Sequence, residues 1–143
     1  MDDRTRQFLA RERVAHLATA DAGGAPHVVP VCFALVGECL YIPIDEKPKK
    51  SRDVRQLKRL RNILENPRIA LVADVYDDAD WSRLGFVLVR ASARIVEAAD
   101  GEHAEAVRVL REKYGQYRSM RLEERPLIAG DVMAVTTWGR LED

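Results

Sequence analysis

Between Arg13 and Ile44 three runs of β-forming residues follow one another with only tight turns between them. The run VAHLATA, within Arg13 to Ala20, ends in the turn Asp21-Ala22-Gly23-Gly24. PHVVPVCFAL, within Ala25 to Leu35, turns back at Val36-Gly37-Glu38, and Cys39 to Ile44 returns as the third. Consecutive hairpins commit this part of the chain to an antiparallel sheet. The second run is almost wholly apolar, as a strand buried on both faces is. Pro30 and Pro43 interrupt neighbouring strands of one hairpin. Such prolines either protect a sheet edge from aggregation or mark gaps in the ladder where a flat ligand docks on the main chain.

Three more runs read as strands: Arg68 to Val75, Gly85 to Glu97 and Val132 to Trp138. Three segments read as helices. Residues 2–12 form a short amphipathic one, capped by Asp2 or Asp3, with Phe8 and Leu9 facing inward. A second lies within Pro48 to Asn66, with Pro48 just outside it, and a third runs from about Gly101 to Tyr117 with Ala104, Val107, Leu110 and Tyr114 as its inner stripe. Arg118 to Pro126 reads as a loop. Six antiparallel strands with short links and helices at their margins describe a closed or split β-barrel. At 143 residues the chain suits one domain, 1–143, with a sizeable core.

The central helix gathers positive charge. In PKKSRDVRQLKRLRNILEN, Lys49, Lys50, Arg52, Arg55, Lys58, Arg59 and Arg61 flank a narrow apolar stripe of Val54, Leu57, Leu60, Ile63 and Leu64. Ser51 is the expected N-cap and Pro67 the stop. A cationic helix start favours an anion such as phosphate; a solvated basic face is the plainer reading of the same run. Formal net charge is zero, which speaks against a general nucleic-acid binder. No apolar run is long enough to span a bilayer and no signal-peptide pattern opens the chain, so a cytoplasmic location is expected. Cys32 and Cys39 make no disulfide framework; a hairpin turning near Val36-Gly37 sets Cys39 opposite Ala34, and both thiols are expected reduced. The three histidines share no metal-ligand spacing, so no metal site is expected. His16 reads as a strand residue, and His103 as a solvated one on a charged helix. Trp81 and Trp138 read as core or interface anchors.

The words LATADAGGAPHVVPVCFAL, LYIPIDEKPKK and LKRLRNILENPRIALVADVYDDADWSRLGFVLVRASARIV, in that order, resemble the split-barrel flavin-binding superfamily typified by pyridoxamine 5'-phosphate oxidase. RNILENPR is similar to the junction where that family's phosphate-binding helix passes into the next strand. DEKPKK, YDDADWSRL and TTW resemble a subgroup of probable coenzyme F-420-dependent enzymes. The resemblance covers nearly the whole chain. It implies a homodimer with two equivalent cofactor sites at the subunit interface.

The cofactor implied is coenzyme F-420 or FMN, its ring against strands two and three and its phosphate at the central helix. By the resemblance, Val29, Pro30, Val31 and Cys32 line the ring from strand two, and Ile42 and Pro43 from strand three. Arg59, with Lys58 and Asn62 beside it, occupies the main phosphate position, and Lys49 or Lys50 adds charge from the preceding loop. Trp138 is a candidate aromatic wall. The chain departs from the oxidase proper: Val29 and Ala34 stand where that enzyme carries an arginine and a lysine, and its C-terminal substrate-binding pattern is missing. The function implied is an oxidoreductase delivering hydride to a small conjugated or quinone-like acceptor. The alternative is a non-catalytic flavin- or haem-binding carrier. A flavin carries the redox chemistry itself, so no strong catalytic side chain is required.

Overall fold

The computed structural model describes residues 1–45 and 54–143, with the side chain of Val54 left out. Its strands are β1 (Ala15–Ala20), β2 (Pro26–Val31), β3 (Ala34–Val36), β4 (Cys39–Pro43), β5 (Arg68–Val75), β6 (Gly85–Val96) and β7 (Leu127–Gly139). Its α-helices are α1 (Asp3–Arg11), α2 (Lys58–Glu65) and α3 (Gly101–Lys113). All strand pairings are antiparallel, in the order β2-β1-β5-β6-β7-β4-β3.

That order decides the architecture. β2 and β3 lie at opposite edges of the sheet, yet only Cys32 and Phe33 separate them in the chain. The sheet must therefore curl until its two edges meet, and the peptide chain closes it there without a ladder. This is a split barrel of seven strands, not the expected six. The apolar run at 25–35 is two strands, because it crosses this seam: its backbone leaves one edge of the sheet at Val31 and joins the other at Ala34.

A tyrosine holds the seam. Phe33 is fully buried, so its backbone polar groups have no access to water. Its N–H donates to the Tyr114 hydroxyl at 3.1 Å, and that hydroxyl lies within donating distance of Phe33 O (3.0 Å) and Arg13 O (2.9 Å). Lys113 Nζ, from the end of α3, sits 3.8 Å from the Phe33 ring centroid and donates to Leu9 O at 2.9 Å.

The barrel interior holds the larger of two apolar clusters, including Leu17, Phe33, Leu40, Ile42, Leu71, Val87 and Val89. α1 adds Phe8 and Leu9, and its N-terminus is capped by Asp2, which accepts from Thr5 N at 2.8 Å. α3 covers a second cluster with Ala106, Val107 and Leu110. Its inner stripe is His103, Ala106, Val107 and Leu110, while Ala104 is exposed. His103, expected in solvent, is buried, and its Nε2 lies 2.6 Å from Arg125 O. Pairing with a carbonyl is what makes an imidazole tolerable there. The helix ends at Lys113; a 3-10 turn, Gly115–Ser119, continues it.

The Arg94 guanidinium bonds both Glu102 at the start of α3 and Asp131 on β7, and Glu102 also accepts from the Tyr41 hydroxyl at 2.7 Å. Arg94 holds the Glu102 carboxyl down at about 2. These bonds fix α3 to the sheet.

Three other expectations change. Gly37, at φ 60°, closes a two-residue turn with Glu38, so Cys39 faces Val36 and Ala34 faces Tyr41. Cys32 and Cys39 are free thiols. The regular part of α2 begins only at Lys58, after a 3-10 turn at Val54–Gln56, and Leu57 in the N-cap position makes no side-chain cap bond. The expected cap Ser51 lies outside the described residues. β7 starts at Leu127, five residues before the run at Val132, because small residues Ala129 and Gly130 continue the ladder against β4 and β6.

Candidate functional site

β3 is short. It covers β4 only from Cys39 to Tyr41, so Ile42 and Pro43 extend past it along that edge. Opposite them the other free edge of the sheet runs through Pro30 and Val31 of β2. Both prolines thus stand at the seam, where a missing N–H costs no ladder bond. A pocket of about 160 Å³ opens here, lined by Val14, Pro30, Val31, Cys32, Pro43, Asp45 and Arg59.

Five residues expected from the sequence meet in this pocket: Pro30, Val31, Cys32, Pro43 and Arg59. Arg59 is only 5% exposed, which places a permanent cation beneath an apolar wall. A guanidinium held out of bulk water attracts an anion far more strongly than a surface lysine does. A larger hollow of about 390 Å³ lies beside α3, where Arg108 pairs with Glu105 and Glu112 and Arg111 with Glu123.

The other expected residues lie elsewhere. Val29 and Ile42 pack on the main apolar cluster, as Val31 also does, but they do not line the pocket. Asn62 is fully buried and donates to Thr19 Oγ1 at 3.0 Å, pinning α2 to β1. Lys58 is exposed and pairs with Asp21 at 3.8 Å, and Arg55 pairs with Glu97 at 2.5 Å. Lys49 and Lys50 lie outside the described residues. Trp138 is 56% exposed on the outer face of β7, stacked on Phe86 with 6.0 Å between ring centroids.

Sequence reasoning missed Val14 and Asp45. Asp45 lies just past the strand-three run, where a carboxylate reads as ordinary strand-exit polarity. Its signal is spatial: Tyr117 Oη donates to Asp45 Oδ2 at 2.5 Å from 72 residues away. Tyr117 is buried, and burial together with the carboxylate pushes its phenol well up, so it stays a donor.

Residues 1–139 match the sequence family described as pyridoxamine 5'-phosphate oxidase. The chain belongs to the pyridoxamine 5'-phosphate oxidase family. A family relative in Streptomyces rimosus, a 5a,11a-dehydrotetracycline/5a,11a-dehydrooxytetracycline reductase, is 30% identical over 95 residues. That alignment covers 66% of this chain and 63% of the reductase, so the chain spans less than two thirds of its relative's length.

Solved structures share the fold. A conserved hypothetical protein from Mycobacterium tuberculosis superposes with a TM-score of 0.76 at 17% identity, covering 97% of this chain and 85% of the other. An F420 reductase gives 0.64 at 24% identity, covering 92% and 94%. A haem storage protein from Vibrio cholerae gives 0.68 at 16% identity, covering 94% and 92%. One fold thus carries both redox enzymes and haem carriers, and the site has to decide between them.

Proposed function

We propose that this chain is an oxidoreductase that holds coenzyme F-420 or FMN in the seam pocket and delivers hydride to a small conjugated or quinone-like acceptor. The observation that carries the proposal is the meeting of Pro30, Val31 and Pro43 with the buried Arg59. A phosphorylated flavin needs a flat apolar wall for its ring and a cation for its phosphate, and those residues supply both. Bound there, the cofactor supplies the hydride from its ring system. The residues of this chain do the rest: the prolines and Val31 keep water off the ring face, and Arg59 takes the anionic end. The relative that reduces a dehydrotetracycline supports a conjugated acceptor.

A homodimer belongs to the same proposal. The outer face of β2, β1, β5, β6 and β7 is mostly apolar, interrupted by His16, Arg90 and Thr136. Register sets Ala18 beside Val28 and Ala70, and Leu88 between Val72 and Thr136. Trp138 and Phe86 stand at one end, and Pro30 shares this face with Val28 at the other. Since Pro30 also lines the pocket, a second copy covering this face borders the cofactor site and receives Trp138 from its partner.

The test is a paired equilibrium titration of the folded apo-protein with FMN and with coenzyme F-420, followed by turnover of the bound, reduced form on enones and quinones. Sub-micromolar binding with multiple turnovers supports the proposal. Binding without turnover assigns the chain as a carrier. Binding of neither removes the reading.

A further inference from the structure

The pocket holds two groups of opposite charge, Asp45 and Arg59, and among the described residues they do not pair with each other. A carboxylate repels phosphate, so on a ligand that carries both an anion and neutral donors the two side chains select different parts. Asp45 keeps a fixed orientation. One of its oxygens is held by Tyr117 Oη at 2.5 Å, and Ile44, the residue before it, is fully buried and accepts from Arg125 Nη1 through its carbonyl at 3.2 Å. Tyr117 is fixed in turn: its ring packs 5.3 Å from that of Tyr114, and its carbonyl accepts from Arg111 Nε at 3.0 Å. The turn after α3 therefore reaches across the fold to aim one carboxylate. Part-exposed at a pocket wall, with one oxygen occupied, Asp45 has acceptor capacity left for a ligand.

Resting on the cofactor reading above, we propose that Asp45 accepts a hydrogen bond from an uncharged donor of the bound flavin or deazaflavin, a ribityl hydroxyl or ring N–H, and that Tyr117 is the positioning residue for that contact. Arg59 then recognises the phosphate and Asp45 the neutral part of the same molecule. A carboxylate-accepted bond is among the stronger neutral-donor contacts. Tyr117 contributes only through Asp45, since its hydroxyl is committed to the carboxylate.

The experiment is a fluorescence titration of folded, full-length protein with each ring in two forms. The phosphorylated probes are FMN and coenzyme F-420, and the phosphate-free ones are riboflavin and 8-hydroxy-5-deazariboflavin. Asp45→Ala is expected to weaken both forms of the preferred ring by a similar factor, roughly tenfold or more. Asp45→Asn, which keeps an acceptor and nearly the same shape, recovers most of the loss. Tyr117→Phe weakens binding in the wild-type background and has no effect in Asp45→Ala, because the two act as one unit.

Unchanged affinity in Asp45→Ala overturns the proposal. So does tighter binding of the phosphorylated form alone, which makes Asp45 a mere repeller of anions. Equal losses from Tyr117→Phe in both backgrounds overturn the positioning role. If the wild type binds none of the four probes, the cofactor reading itself fails and takes this inference with it. Wild-type binding with indifferent Asp45 variants removes this inference alone.

Discussion

Tyr114→Phe is a narrow perturbation with a large expected effect. It deletes one oxygen and keeps the ring, including its packing on Tyr117 and its contacts with Arg13 and Lys113. The hydroxyl accepts from Phe33 N–H and gives its single proton to one of two carbonyls, Phe33 O or Arg13 O. Arg13 is exposed, so water replaces the loss there. Phe33 is 0% exposed, and its N–H is left without a partner. An orphaned buried donor costs about 1 to 3 kcal/mol, and the lost donation to a carbonyl adds about 1. The expected destabilisation is about 2 to 4 kcal/mol.

An unfolding entropy of about 2.1 cal/mol/K per residue over 143 residues gives about 0.3 kcal/mol/K. The melting temperature should therefore fall by roughly 7 to 13 °C. Chemical denaturation should show a lower midpoint with an unchanged m-value. Tyr76→Phe, whose exposed hydroxyl bonds the nearby Asp78, serves as control and should stay within about 0.5 kcal/mol.

The alkaline limb adds a second check. Burial pushes the Tyr114 phenol up to about 12, from an ordinary 10. The folded state therefore binds this proton more tightly than the unfolded chain. That contribution is complete below pH 10 and disappears as pH rises through about 12. Tyr114→Phe should lose less stability than wild type across that window. A variant as stable as wild type at neutral pH refutes the reasoning, because the seam then does not depend on this hydroxyl.

Three further outcomes are expected. Arg59→Ala should weaken FMN or F-420 binding by at least about 1.5 kcal/mol in a titration and leave the phosphate-free ring nearly unaffected; an unchanged dissociation constant rules out its role at the phosphate. Leu88→Glu, in the middle of the apolar outer face, should convert a dimer to monomer by sedimentation, since a carboxylate is costly to bury without a partner; an unchanged sedimentation coefficient for a dimeric wild type rejects this face as the interface. Gly85→Ala should cost at least about 1 to 3 kcal/mol in denaturant, because its new Cβ meets the backbone oxygen of Arg140 at 2.1 Å. A neutral result there means that the chain after β7 moves freely away from β6.

Much of the barrel is legible in the residues because hairpins and alternation are local. VAHLATA, RIALVADV and GFVLVRASARIV announce strands by composition alone. The seam is not local: nothing in PHVVPVCFAL marks Cys32 and Phe33 as the place where the chain changes edges, because apolar residues continue through it. His103 is misjudged for a related reason. Its partner is a carbonyl 22 residues away, which converts a polar residue into an interior one. In the site, residue type identifies Pro30, Pro43 and Arg59, whose roles follow from a missing N–H and a permanent charge. It cannot separate Val31 from Val29, which share one face of β2 and differ only in how near the seam they stand. Asp45 stays hidden because its meaning comes from Tyr117.

A cylinder made by rolling a sheet and fastening it with two residues has a crease. Elsewhere, widening the wall means breaking rungs in series, eight register pairs between β5 and β6 alone. Along the crease the fastening is the peptide chain itself and one phenol, so compliance concentrates there. The pocket opens on that line. On the function proposed above, a flat guest enters the wall where it yields most easily, while the interior apolar cluster and the distant ladders keep their spacing.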